Sequence, residues 1–192
     1  MPTDKLPVCP SEWTAVSPSA LLESILLCYH TPCRVIVTGQ RGAGKSTWCD
    51  ELLRLAVSQG WQVAGVWSPA VFEKDVKVGI DMVGLPDGER RRLAVLRRDG
   101  DTNPFGMRWS FDDETIAWGN AVLANTDAPD LLMIDELGPL EFEHGQGLTE
   151  GLRAVDRRRY RLAVIVIRPE LLAEALRRWP DARVVTPPNR ER

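Results

Sequence analysis

The residues of this chain best suited to chemistry fall in two short stretches. The first reads Gly39-Gln40-Arg41-Gly42-Ala43-Gly44-Lys45-Ser46-Thr47. Phosphate oxygens crowd a small volume, so a backbone that binds them must curve closely with its N–H groups turned inward, and residues without Cβ permit that curvature. The spacing GxxxxGK[ST] is that of a phosphate-binding P-loop, the Walker A motif. In it Lys45 is expected to reach the β- and γ-phosphates, Ser46 to ligate Mg2+ and Thr47 to touch the α-phosphate. A helix that starts at the lysine adds unpaired N–H groups and the positive end of its dipole. The bland alternative is a glycine-rich turn that caps a helix.

The second stretch is LLMIDELGPLE, residues 131–141. Residues 131–134 form a continuous apolar run, suited to a strand buried on both faces of a parallel sheet. Asp135 and Glu136 follow at its carboxyl end, where open α/β sheets bind ligands. Two adjacent carboxylates there are costly without a cation nearby, and Mg2+-nucleotide supplies one. Asp135 is expected to hold the metal's water shell as the Walker B acid, and Glu136 to orient and polarise an attacking water. Acids favoured by a helix dipole are the competing explanation.

These motifs need elements to position them. Residues 35–37 read as a short strand before the glycines, and Trp48, Leu52, Leu55 and Ala56 recur at helical spacing after them. Ser17-Pro18 opens an earlier helix with Leu21, Leu22, Ile25 and Leu26 on one face. Val63–Trp67 is a second strand, and 71–73 and 76–83 form a hairpin across Lys74-Asp75, with 93–96 as a further extended piece. Ser110 and Asp113 suggest a capping box for the helix after them. Helix, buried strand, helix and a last strand follow at 148–155, 162–167, 169–179 and 183–186. The expected fold is α/β: a three-layer P-loop fold with a mainly parallel sheet, a side β-hairpin and an extra N-terminal helix. Residues 1–16 are a flexible lead-in, and 17–192 a single domain.

Composition narrows the function. A net charge of −3 over 192 residues gives no basic field, so no nucleic-acid partner is expected. No apolar run is long enough for a bilayer and the N-terminus lacks the layout of a secretory signal, so a cytoplasmic protein without membrane contact is expected. Cys9, Cys28, Cys33 and Cys49 form no CxxC pair and read as reduced; Cys28, His30 and Cys33 are a weak metal triplet beside plain burial. Asp81-Met82-Val83-Gly84 spells the DxxG of GTP switches, but no NKxD reader follows, and a hairpin end explains it. Arg90, Arg91, Arg92, Arg97 and Arg98 are a solvated face or a group that closes over phosphate. Arg168, ending the 162–167 strand, is either an ordinary exposed arginine or a γ-phosphate contact.

With both motifs placed, the chain resembles the small P-loop nucleoside-triphosphatase family of human cancer-related and thermophilic bacterial members. The resemblance rests on TGQRGAGKST at 38–47, on VAGVWSPAV and VGIDMVGL within 63–85, on IDELGPLE at 134–141 and on VTPPNR at 185–190. It implies slow, metal-dependent hydrolysis of several nucleoside triphosphates to diphosphate and phosphate, with little base selectivity. Lys45, Ser46, Asp135 and Glu136 match its motif positions, Glu141 matches a second acid, and Asn189-Arg190 matches a loop near the base. Two departures stand out. Pro139 occupies the position where the family often has lysine, and Phe72 and Lys77 stand where hairpin arginines are expected. The function expected is Mg2+-dependent hydrolysis of nucleoside triphosphates, with a nucleotide or nucleoside kinase or a nucleotide-gated interaction module as alternatives and the oligomeric state open.

Overall fold

In chain order the elements are α1 (Pro18–Leu27), β1 (Cys33–Val37), α2 (Lys45–Ser58), β2 (Val63–Trp67), β3 (Ala70–Glu73), β4 (Val76–Gly84), β5 (Arg90–Leu96), β6 (Trp109–Phe111), α3 (Asp113–Ala124), β7 (Leu131–Leu137), α4 (Pro139–Phe142), α5 (Thr149–Arg157), β8 (Leu162–Ile167), a 3-10 turn at Pro169–Leu171, α6 (Leu172–Arg178) and β9 (Arg183–Val185). They come from a computed structural model that describes residues 15–27, 31–85, 87–97 and 109–188. The expectations placed on residues 1–14, Cys28, His30, Arg98 and Asn189-Arg190 lie outside the described residues.

Period-two alternation explains the layers. Along β8, Ala163, Ile165 and Ile167 enter one hydrophobic core while Leu162, Val164 and Val166 enter another. A strand covered on both faces therefore reads as unbroken apolar sequence. The first core takes Leu123 of α3, Leu152 and Val155 of α5, and Ala175 with Trp179 at the end of α6. The second takes Leu52, Leu53 and Ala56 of α2, and over them Leu21, Leu22 and Ile25 of α1. The extra N-terminal helix thus extends the core on the α2 side.

The sheet runs β6-β5-β4-β2-β7-β8-β1-β9, with β3 paired to β4. It is parallel from β2 to β9 and antiparallel beyond β2. The hairpin is continuous with this sheet, because Val66 and Trp67 of β2 pair with Gly84 and Val83 of β4. Its two-residue turn has φ of 46° at Lys74 and 64° at Asp75, the left-handed pair that matches strand twist. The cap of α3 is Asp112, whose side chain accepts from Thr115 N at 2.8 Å; Ser110 lies in β6 instead. Among the described residues no helix is long and apolar enough to cross a membrane.

Two features position the site. Strand β8 lies between β1 and β7, so their carboxyl ends flank its own. Strand β7 carries a bulge: Ile134 pairs with Ile165 but Leu137 with Ile167, so Asp135 and Glu136 together oppose Val166. The extra residue returns Leu137 to the core that holds Ile134, and Glu136 takes a left-handed φ of 69° to make the turn.

Candidate functional site

The strand, glycine loop and helix form as the spacing predicts. At Gly42 and Gly44 an added Cβ would meet nothing within 4 Å, so space is not what requires glycine. Their φ values of 84° and 81° are the requirement. Thr38 N donates to Val185 O at 2.9 Å, which ties the start of the loop to β9, and Gly44 caps α2. Lys45 Nζ donates to Gly39 O at 2.6 Å and Gln40 O at 3.1 Å, so its ammonium sits across the mouth of the loop. Arg41, Ser46 and Thr47 are exposed and Ala43 is half-buried. Trp48, read as part of the apolar stripe of this helix, is buried, with its Nε1 donating to Val16 O at 2.9 Å, toward α1.

The two acids occupy different environments. Asp135 is 6% exposed, and its Oδ2 accepts from Ser68 N at 3.0 Å. Burial pushes its carboxyl up to about 7; the Ser68 N–H pulls the other way, Glu136 adds to the rise, and the charges of Lys77 and Lys45 oppose it. Among the described residues no cation forms an ion pair with it. Glu136 is more open, and Arg168 Nε donates to its Oε1 at 2.5 Å.

Electrostatics brings the two stretches together. The thiol of Cys49, one turn into α2, is pushed well above its usual value first by burial and then by the charge of Asp135, while Lys45 pulls it down. Lys45, Cys49 and Asp135 therefore share one neighbourhood.

Three further side chains belong here: Ser68, which the sequence did not single out, Lys77, which stood out only as a departure from the family, and Arg168, for which a γ-phosphate contact was one of two readings. Ser68 follows β2 and binds Asp135 through its N–H, and through its hydroxyl to Asp135 O at 3.4 Å. Half-buried Lys77 of β4 holds its ammonium 5.0 Å from the centre of the Trp109 ring. Burial chiefly lowers its pKa, with Arg41 and Arg168 acting the same way and Glu136 and Asp135 opposing them. The signals for it were a single cation inside the apolar alternation VKVGI and its place in the stretch where the family's hairpin arginines are expected. Arg168 is the third, directly on Glu136. Two buried polar atoms without a partner flank the same region, Thr38 Oγ1 before the glycine loop and Trp67 Nε1 before Ser68.

Other candidates are used elsewhere. Glu141 is 8% exposed; its Oε2 accepts from Gly138 N and its Oε1 from Leu148 N, both at 2.7 Å. It clasps the turn after β7 and is committed to backbone donors. Asp81 of the DxxG stretch is buried, with Arg92 Nε at 2.5 Å and Arg90 Nη1 at 3.4 Å. Arg91 pairs with Glu89 at 2.7 Å and stacks 4.7 Å from the Trp118 ring centre, and Arg97 donates to Trp109 O at 3.0 Å. Arg90 and Arg92 thus tie β5 to β4, Arg97 ties the chain after β5 to β6, and Arg91 covers Trp118 of α3. Neither the switch reading nor an arginine clamp for a kinase acceptor has support from them.

A family model described as NTPase matches residues 34–192. Nucleoside-triphosphatase THEP1 of Methanopyrus kandleri is 29% identical over 126 residues, 65% of this chain and 68% of that protein. The protein of the same name from Caldivirga maquilingensis is 30% identical over 132 residues, 69% of this chain and 74% of its own length. The solution structure of a human cancer-related nucleoside triphosphatase matches with a TM-score of 0.60 at 23% identity, covering 80% of this chain and 88% of that one. The crystal structure of THEP1 from Aquifex aeolicus matches with a TM-score of 0.58 at 16% identity, covering 81% and 90%. At those identities the two structures bear on the α/β fold, which this chain shares.

Proposed function

The chain belongs to the NTPase family, and on that premise we propose that it hydrolyses nucleoside triphosphates to diphosphate and phosphate with Mg2+ as cofactor and little choice among bases. The enzyme class follows from relatives named nucleoside-triphosphatase. Those names specify nucleoside triphosphates as a class, which supports breadth toward the base. The observation that carries the mechanism is the bulge in β7, which sets Asp135 and Glu136 together at the end of the strand, with Asp135 within electrostatic reach of Lys45.

The residues present fit a hard divalent cation. Asp135 is a buried carboxylate with no paired cation among the described residues, and Ser46 adds an exposed hydroxyl in the first turn of α2. Asp135 and Ser46 would hold Mg2+ there, and the ion would supply positive charge to offset the charge that develops on the leaving oxygen. The chain does the rest. Residues 39–47 cradle the phosphates with backbone N–H groups, and Lys45 exchanges the Gly39 and Gln40 carbonyls for phosphate oxygens. Glu136 takes a proton from the attacking water.

Removing a general base costs ~10²–10⁴ in rate. Glu136→Gln should therefore retain nucleotide while phosphate release, assayed without any acceptor, falls by that factor. Near-parental release by this variant would reject the role of Glu136.

A further inference from the structure

Arg168 is the first residue beyond β8, and β8 lies between the strand that leads into the glycine loop and the strand that carries the acids. Val166 pairs with Val37 of β1, and Ile167 with Leu137 of β7. The chain then turns at once into the Pro169–Leu171 turn, where Leu171 N donates to Arg168 O at 3.0 Å. The strand order and this turn fix the Arg168 backbone between the phosphate loop and Glu136.

Its guanidinium meets Glu136 Oε1 through both Nε and Nη2. An arginine has five N–H donors in a planar fork, so donors remain for a second anion. The pair is also open to water, with Arg168 at 53% and Glu136 at 36% exposure. Ion pairs this exposed are weak, whereas a phosphate offers several oxygens to the same fork.

We propose that Arg168 is shared between the Glu136 carboxylate and the terminal phosphate of a nucleoside triphosphate, so that the γ-phosphate draws the guanidinium away and frees Glu136 for the attacking water. The inference rests on the hydrolysis reading and adds the way in which substrate recognition is coupled to the base. In the step itself, water oxygen bonds to the γ-phosphorus as its proton passes to Glu136. The bond from that phosphorus to the β–γ bridging oxygen breaks, and the electron pair leaves with the diphosphate. A diphosphate has no group to compete for Arg168, so the pair with Glu136 stays closed.

The test compares the parent, Arg168→Ala and Arg168→Lys, with thermal unfolding as the check that each variant is folded. Dissociation constants are measured for a non-hydrolysable triphosphate analogue and for the diphosphate, alongside turnover. Arg168→Ala is expected to weaken the triphosphate analogue about tenfold, a charge-assisted contact's worth, and leave the diphosphate nearly unchanged. Its turnover is expected to fall ~10²–10³-fold, the scale for one group that stabilises developing charge. Arg168→Lys should fall between, since a lysine keeps the charge and loses the fork. An unchanged triphosphate-to-diphosphate ratio in folded Arg168→Ala, with normal parental turnover, overturns the sharing and leaves hydrolysis standing. Absence of phosphate release by the parent removes the hydrolysis reading itself, and base release with it.

Discussion

Both ends of the parallel strands bury charge, and they treat it in opposite ways. At the amino end, Arg34 of β1 is 6% exposed and fully engaged. Its Nη1 donates to Asp181 at 2.6 Å, its Nε to Tyr160 Oη at 2.9 Å and its Nη2 to Val155 O at 3.3 Å. Asp181 also takes Arg158 at 2.8 Å. Burial pushes its carboxyl up, but the hydrogen bond and charge of Arg34 and the charge of Arg158 outweigh it and hold it below the usual value. At the carboxyl end, equally buried Asp135 has one backbone N–H on its side chain and no paired cation among the described residues, and its carboxyl is pushed up to about 7. A buried charge whose partners are all supplied by the chain is architecture. One that the fold leaves in deficit is, on the reading proposed above, where Mg2+ would bind.

The sharpest way to break this contrast is to remove the deficit. Asp135→Asn should lower phosphate release ~10²–10³-fold, the cost of losing one electrostatic stabiliser of the transition state. The same change should stabilise the protein in metal-free buffer, with a pH dependence that follows from linkage. Unfolded Asp135 ionises near the usual carboxylate value and the folded residue near 7. Between those values the folded state holds a proton that the unfolded state has released, so stability falls as pH rises and the whole cost stands above about 7. The melting temperature of Asp135→Asn should exceed the parent's most at pH 8, with the gap closing toward pH 4.

Breaking the satisfied end should do the reverse. Asp181→Ala leaves Arg34 buried with two of its three partners and should cost roughly 2 kcal/mol, discounted because Asp181 is partly in water. For a chain of this size that is about 4–8 °C in melting temperature. Asp181 has a lowered carboxyl, so its contribution is complete above the unfolded value and is lost as pH falls through the folded one. The deficit between parent and variant should therefore shrink in acid, opposite in sense to Asp135→Asn. Equal pH slopes at the two ends would erase the distinction.

The smallest effect sharpens the comparison within the site. Glu141 is a third buried acid, and burial raises its carboxyl while the N–H groups of Leu148 and Gly138 pull it down. Glu141→Gln keeps one acceptor oxygen of two and should cost about 1–3 kcal/mol in thermal unfolding, with turnover per folded molecule little changed. A turnover loss as large as that of Glu136→Gln would place Glu141 among the reacting groups.

The candidate site was legible before any coordinates where its residues are packed into consecutive positions. Gly39 through Thr47 and Asp135-Glu136 each carry their meaning in adjacent positions, and the strands that hold them announce themselves by apolar runs. The β3–β4 hairpin was equally plain, since Lys74-Asp75 needs only local turn geometry. What escaped was whatever depends on a partner distant in the chain. Arg90 and Arg92 read the same whether they face phosphate or Asp81. Trp48 read as part of an apolar stripe, but nothing local said that its Nε1 would donate to Val16 O. The resemblance matched Glu141 to a second acid without giving it a role, and its two oxygens are taken by backbone N–H groups.

The sequence by itself determined the loop and its helix, because left-handed glycines and a following apolar stripe act over a few residues and leave the backbone little choice. It also determined that a buried strand ends in two acids. Only the tertiary structure decided that β8 runs between those motifs, that the bulge turns Glu136 toward Arg168, and that Ser68 and Lys77 come to the same place. Strand order and register follow from how two cores fill on either side of one sheet, and that packing is settled among residues far apart in the chain.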